Sequence, residues 1–347
     1  MKKLLSILLL LLLLSMPVSA EEWATPPEPE TGNQLLPQEQ SNFTQDLLYV
    51  LRTALQQLRP ELGEGIRLCL RLFCGMLLLS LVQQIHPMQQ KTVQLASVCM
   101  LCALLLGSVT AMVRLGADTV SELSEYGKLL LPVMTAALAA QGGAATSAAL
   151  YAGTAIFNSL LSALIRGVLI PMVYIFLLFA ISSAVSDLPL LKKILDTIRW
   201  CIQWTLKTVL YVFVGYISIT GVVSGTTDQM ALKATKLTIS GAVPVVGGIL
   251  SDASEAVLVS MGALKNTAGI YGILAFVAIL ILPFLKIGIQ YLLLKATAML
   301  SSLCSDSKSA QLLEHFCLCM GYLLAMTGAV CLMLLISLVC FMKGVQL

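Results

Sequence analysis

Charge is what this sequence has least of. Only 11% of its 347 residues are Asp, Glu, Lys or Arg, and 58% are apolar, against about 25% and roughly 45–50% in an ordinary soluble domain. A chain of this length cannot enclose so much apolar surface in one interior, so a soluble enzyme is excluded and a membrane protein is implied. With 21 Lys and Arg against 18 Asp and Glu, the basic excess is too small for a nucleic-acid binder, whose affinity comes from neutralising phosphates. Histidine is scarce, His86 and His315 being the two present. The motifs HExxH, GxSxG and GxxxxGK[ST] are missing, which leaves a zincin, an α/β-hydrolase and a P-loop ATPase unsupported. Eight of the ten cysteines (Cys69, Cys74, Cys99, Cys102, Cys317, Cys319, Cys331, Cys340) lie within apolar runs, where a thiol is a small filler, and no disulfide framework is implied. Cys99 and Cys102 make a CxxC with neither a second pair nor a histidine beside it. Asp187 and Asp252 stand at loop edges without a supporting motif. No catalytic residue, metal ligand or cofactor is expected.

The first segment reads as a targeting signal. Lys2 and Lys3 precede the apolar run Leu4 to Leu14, and Val18-Ser19-Ala20 supplies the small residues of a cleavage site, so cleavage is expected after Ala20. The alternative is an uncleaved first anchor, for which the apolar run is short. Residues 21–64 carry eight acidic side chains against Arg52 and Arg59, which suits an external segment. Residues 21–41 have the Pro and Glu content of a disordered linker. From residue 42 to 64 an amphipathic external helix is expected, with Leu47, Leu51, Leu55 and Leu58 on one face, lying on the membrane or on a partner.

Residues 65–347 form the membrane domain. Ile66 to Ile85 either spans or dips, because Arg67 and Arg71 sit four residues apart and only Leu72 to Val82 is uninterrupted. Val93 to Val113 is free of charge and is a spanning helix. In Leu129 to Ser186 the single formal charge is Arg166, and the length allows two or three crossings at about 20 residues each. Its first part is dense in Ala136, Ala137, Ala139, Ala140, Gly142, Gly143, Ala144 and Ala145, which permit close approach of helices in lipid. Arg166 either reaches an interface, a turn being expected close to it, or pairs inside the bundle beside Gln141 and Asn158. Thr208 to Thr227, Ala268 to Leu285 and Phe316 to Met342 are further spans. The fold class is therefore all-α, a polytopic membrane protein of about six to eight crossings.

Asp187 to Lys207 holds Lys192, Lys193, Arg199 and Lys207 against two acids and is the best cytoplasmic loop by the positive-inside rule. Leu191, Ile194, Leu195, Ile198 and Ile202 share a helical face and Trp200 and Trp204 fall one turn apart, so this loop is expected to be an interfacial helix. Its basic face serves orientation alone or also docks a cytoplasmic partner. With three spans after it, the C-terminus lies outside. Farther on, Gly241, Pro244, Gly247 and Gly248 interrupt an uncharged stretch at 237–251 that is short for a span. That pattern fits either a broken, re-entrant segment or an external loop between two helices.

One block carries a resemblance. Leu232 to Gly272 contains Ala234 and Lys236, the Pro244-Val245-Val246-Gly247 turn, Asp252-Ala253 with Glu255, and Leu264-Lys265-Asn266 leading to Gly269-Ile270-Tyr271-Gly272. This combination resembles the signature of the stage III sporulation protein AE family, and the looser likeness extends over residues 45–347, including a Thr220-Gly221 step after an aromatic-rich helix. Gly248 stands where a basic residue is expected after the turn. The resemblance implies a membrane component encoded with a secretion-type ATPase in endospore-forming bacteria, placed in the mother-cell membrane around the forespore beside sibling membrane proteins that build a channel. Partner or structural contacts are then expected at Arg166, Lys192, Lys193, Asp252, Glu255, Lys265 and Asn266, with membrane lipid as the other partner and no nucleic acid.

From the residues themselves, three readings stay open: a non-catalytic export or channel subunit, a secondary transporter that binds a solute, and a scaffold without a pore. No acid accompanies Arg166, Gln141 or Asn158 within their uncharged runs, which weighs against proton or cation coupling. N-terminal sequencing of the membrane-inserted protein should begin at Glu21; retention of Met1 or Lys2 would reverse the sidedness assigned to the acidic segment.

Overall fold

The computed structural model describes residues 43–85, 90–141, 143–186, 188–242, 247–304 and 307–343, with backbone alone at 43–44, 83–85, 90, 221–242, 247–268, 303–304, 307 and 343. The expected signal and linker, residues 1–20 and 21–41, lie outside the described residues. Every element described is helical: α1 (Phe43–Gln57), α2 (Arg59–Ile85), α3 (Gln90–Ala140), α4 (Ala144–Leu164), a π-helical turn (Ile165–Leu169), α5 (Ile170–Val185), α6 (Pro189–Ala242), α7 (Gly247–Cys304) and α8 (Ser307–Lys343). In lipid the helix is the one open element that pairs every backbone N–H and C=O internally. Six helical segments among the described residues are long and apolar enough to cross a membrane, 144–185 counting as one. The protein is an all-α polytopic membrane protein.

The helices are longer than crossing requires. At 51, 54 and 58 residues, α3, α6 and α7 reach roughly 76 to 87 Å at 1.5 Å per residue, against about 30 Å of hydrocarbon. Pro132 and Pro283 lie inside α3 and α7 without ending them. Residues 129–186, long enough for two or three crossings, supply the end of α3 and a return through α4 and α5, so they take part in two of the six apolar segments. The stretch rich in Ala and Gly is the corner between them. There Gln141 N and Gly143 N both donate to Leu138 O, at 3.2 and 3.1 Å, so these small residues serve a chain reversal more than a mid-span contact.

Arg166 also departs from expectation, since no turn lies beside it. Pro171 has no N–H to offer the carbonyl four residues back, and the chain absorbs the defect as a π-turn at Ile165–Leu169, keeping 144–185 continuous. Ile165 and Leu169 are buried while Arg166 points outward, exposed.

Helix α8 is the axis of the bundle and its most enclosed member, touching α3, α4, α5, α6 and α7. Opposed pairs give its directions. Gly116 and Gly127 of α3 meet Leu323 and Leu334 of α8, a parallel pair, whereas Phe284 approaches Gly328 and Tyr291 approaches Gly321, making α7 antiparallel to α8. Phe316, Phe341, Phe276, Phe176 and Phe213 are fully buried. Tyr126 and Phe276 meet edge to face at 5.1 Å, as do Phe176 and Tyr322 at 5.6 Å.

Polar side chains inside the bundle join helices. Thr154 Oγ1 donates to Ser337 Oγ at 2.8 Å, tying α4 to α8, and Asn158 Nδ2 donates to Ser124 O at 3.2 Å, tying α4 to α3. At the α4–α6 crossing the bare Cα of Gly153 accepts the ring of Tyr216, whose hydroxyl donates to Ala149 O at 2.9 Å.

The amphipathic lead helix is present as α1, where Asp46, Val50 and Ala54 are buried; of the expected leucine face, Leu58 just past its end is buried and Leu47 and Leu51 are half-buried. Val50 packs on Ala278 of α7, with Val277, Ile281 and Leu282 around them, while Leu55 is turned outward. The segment 187–207 is no separate loop helix. From Pro189 it runs unbroken into the next span as α6, with Leu195 and Ile202 inward and Trp200 and Trp204 exposed, stacked at 5.8 Å.

Replacing Gly153 by Leu should force Tyr216 aside and cost about 1–3 kcal/mol. Replacing Gly215 by Ala, whose Cβ would meet nothing within 4 Å, should be neutral or stabilise slightly. Thermal unfolding of the two variants in detergent checks the contrast, and equal melting points would contradict the crossing described.

Candidate functional site

A polar concavity sits where α2, α3 and α7 meet. Its position follows from chain geometry. Residues 61, 64, 65, 68 and 71 recur at helical spacing and share one face of α2, and that face lies against α7, running parallel to it: Glu61 pairs with Lys286, and Leu293 fills the space a side chain at Gly65 would take. Helix α3 closes the third side through Ser108, Ala111, Met112 and Leu115. The cavity measures about 670 Å³, and an open groove lined by Arg114, Asp118 and Thr110 continues from it past Ala111 and Leu115.

Three basic side chains (Arg67, Arg71, Lys286) and two acidic ones (Glu61, Glu64) line the cavity, leaving one positive charge in excess. Arg67 Nε donates to Gly63 O at 3.2 Å. Among the described residues Arg71 has no ion-pair partner. Gln290, only 8% exposed, contributes a carboxamide whose Nε2 is buried without a hydrogen-bond partner. Buried donors in folded proteins are normally paired, so this one marks a place for an acceptor. A second ion pair, Lys295 Nζ to Glu314 at 2.8 Å, holds α7 to α8 elsewhere. No cluster of three or more His, Cys, Asp or Glu is found among the described residues, and Cys99 and Cys102 form no disulfide.

The residues singled out from sequence are dispersed. Arg166, Lys192 and Lys193 are exposed on the outside of the bundle, and none lines the cavity. Gly241 is helical one residue before the end of α6, Gly247 and Gly248 begin α7, and Pro244 lies outside the described residues. The interruption therefore falls between two long helices. Asp252, Glu255, Lys265 and Asn266 belong to the first half of α7, where only the backbone is described. Asn158 is buried as an interhelical bond. Sequence reasoning missed the cavity because Arg67 and Arg71 registered only as flaws in a weak span; Lys286 and Gln290, one turn apart in an otherwise apolar run, were the signal that could have found it. It also missed the pairing of Glu61, on α2, with Lys286 of α7.

The model of the family described as Stage III sporulation protein AE matches residues 34–344. A protein of Bacillus subtilis (strain 168) named Stage III sporulation protein AE is 25% identical over 227 residues, which cover 64% of this chain and 56% of that relative. No solved structure matches. The match spans nearly all of the described helices together with the block at 232–272 that carries the resemblance, and the chain belongs to the stage III sporulation protein AE family.

Proposed function

We propose that the protein is a non-catalytic membrane subunit of a sporulation-specific export or channel complex linking mother cell and forespore, acting in the mother-cell membrane through helix packing and contacts with sibling membrane proteins. The observation that carries the reading is the family match over a body of six membrane-length helices. A chain without a nucleotide-binding motif needs an external energy source if material is moved, and a secretion-type ATPase supplies one. Residues 187–207 face the cytoplasm in this arrangement, where Lys192 and Lys193 satisfy the positive-inside rule and present an exposed basic face.

The block 232–272 spans the end of α6 and the start of α7. Its turn residues Gly241, Pro244, Gly247 and Gly248, with Asp252, Glu255, Lys265 and Asn266 on the helix that follows, form the surface offered to sibling subunits. The charged cavity favours one rival, a secondary transporter that binds its own solute. Affinity purification of the tagged chain from sporulating cells separates the two: co-purification of sibling membrane proteins and an ATPase supports the subunit, whereas a chain that purifies alone and carries solute in vesicles defeats it. Gly247→Val should leave membrane abundance intact and reduce spore yield at least tenfold, on the order of a lost subunit contact of 1.4 kcal/mol or more. Wild-type yield at wild-type abundance would remove the turn from the docking surface.

A further inference from the structure

We propose that the cavity between α2, α3 and α7 binds a singly charged phosphate oxyanion, presented as the phosphodiester of a membrane lipid headgroup. Three observations converge on it. The first is chemical. Arg67 and Arg71 lie one turn apart on the lining face of α2, and the planar guanidinium fork matches two phosphate oxygens at once. Arg67 spends Nε on Gly63 O, which fixes the arm and leaves its terminal nitrogens to the cavity.

The second is the orphaned donor. Gln290 is part of the same cavity wall, and its Nε2 is buried there without an acceptor. A phosphate oxygen held by the arginines would supply one. The charge balance also selects among anions, because Glu61 is matched by Lys286 and Glu64 offsets one arginine. The single positive charge remaining suits a phosphodiester monoanion better than a phosphomonoester dianion.

The third observation identifies the source as lipid. The charge-free run of α2 starts at Leu72, directly after Arg71, and that of α3 ends at Val113, directly before Arg114. Helices α2 and α3 run oppositely, with Gly75 beside Met100, so both runs extend from the cavity in the same direction. Along α2 and α3 the cavity thus marks the change from charged to apolar, where arginines extend toward headgroups, while the charge-free run of α7 that ends at Leu285 leaves the cavity on its other side. Below it, Leu78, Leu81 and Leu95 are exposed, a surface along which acyl chains can lie while the headgroup fills the polar space. The bound lipid would join α2, the least enclosed of the six spanning segments, to the rest of the bundle.

The test uses the full chain, purified in detergent and stripped of lipid, then titrated with phosphatidylglycerol while native mass spectrometry counts bound lipid and thermal shift reports stabilisation. One phosphatidylglycerol should bind in preference to diacylglycerol, which has the same chains and no phosphate. Arg67→Gln/Arg71→Gln should weaken binding about tenfold or more, the effect of losing one charge-assisted hydrogen bond or better. Gln290→Leu should weaken it severalfold with charge unchanged, and Arg71→Lys should recover only part of it, because an ammonium keeps the charge and loses the fork. Variants are compared at equal melting temperature without lipid; if the double variant does not fold, Arg71→Gln and Gln290→Leu decide. Displacement of the lipid by millimolar inorganic phosphate would keep the oxyanion site and reassign its source to the free ion. Equal binding of phosphatidylglycerol by wild type and by the arginine and Gln290 variants, or equal competition by diacylglycerol, would overturn the proposal.

Discussion

Everything in this structure depends on one constraint: backbone N–H and C=O groups in hydrocarbon must find partners within the chain, or each costs several kcal/mol. Described residues accordingly occur as long helices with short connections. The same constraint shapes the exceptions. Pro171 removes a donor in the middle of an apolar run, and the response is a π-turn that rearranges the bonding while the helix continues. Pro132 and Pro283 likewise sit inside helices without breaking them. A reversal occurs where Gly143 and Gln141 can both bond back to Leu138, at a corner of small residues.

Once helices are obligatory, their association cannot rest on hydrophobic burial alone, because lipid tails are as apolar as leucine. Shape and internal polarity take its place. The bundle is organised about α8, whose neighbours approach through glycines at positions 116, 127, 321 and 328. Asn158, Thr154 and Ser337 then fix which helices meet and in what register, since a slip would leave their polar atoms in an apolar interior. The interior polar groups of the sequence thus serve architecture at α4 and recognition at the α2–α3–α7 cavity, and burial alone does not separate the two. Each leaves one buried amide atom unpaired, Oδ1 at Asn158 and Nε2 at Gln290; what separates them is place, since Asn158 Nδ2 bonds across to α3 while Gln290 stands in the wall of a charged cavity.

Family membership places this chain among sporulation proteins of the membrane, and the fold adds where its polar chemistry is concentrated. The region that carries the family signature and the region that carries the cavity are both built on α7, the first at its start and the second near residue 290. A single continuous helix therefore connects the surface proposed for sibling subunits with the surface proposed for lipid. The pairs Glu61–Lys286 and Lys295–Glu314 anchor that element to α2 on one side and to α8 on the other.

The membrane class, the all-helical fold and the family were legible in the sequence because they depend on composition, on runs of apolar residues and on a local motif. None of these requires knowing which residues meet. The inward face of α6 was legible for the same reason, Leu195 and Ile202 being placed by periodicity within one helix. The number of crossings in 129–186 was not, because apolar length sets how many helices fit and the bonding around Pro171 decides where the chain turns. The buried side of α1 depended on Ala278 of α7, over two hundred residues away, which packs on Val50 and leaves Leu55 outward. The cavity, above all, needed tertiary structure. Each of its charges reads as an imperfection in its own helix, and only the packing of α2 beside α7 places Glu61 on Lys286 and brings two arginines to an unpaired carboxamide.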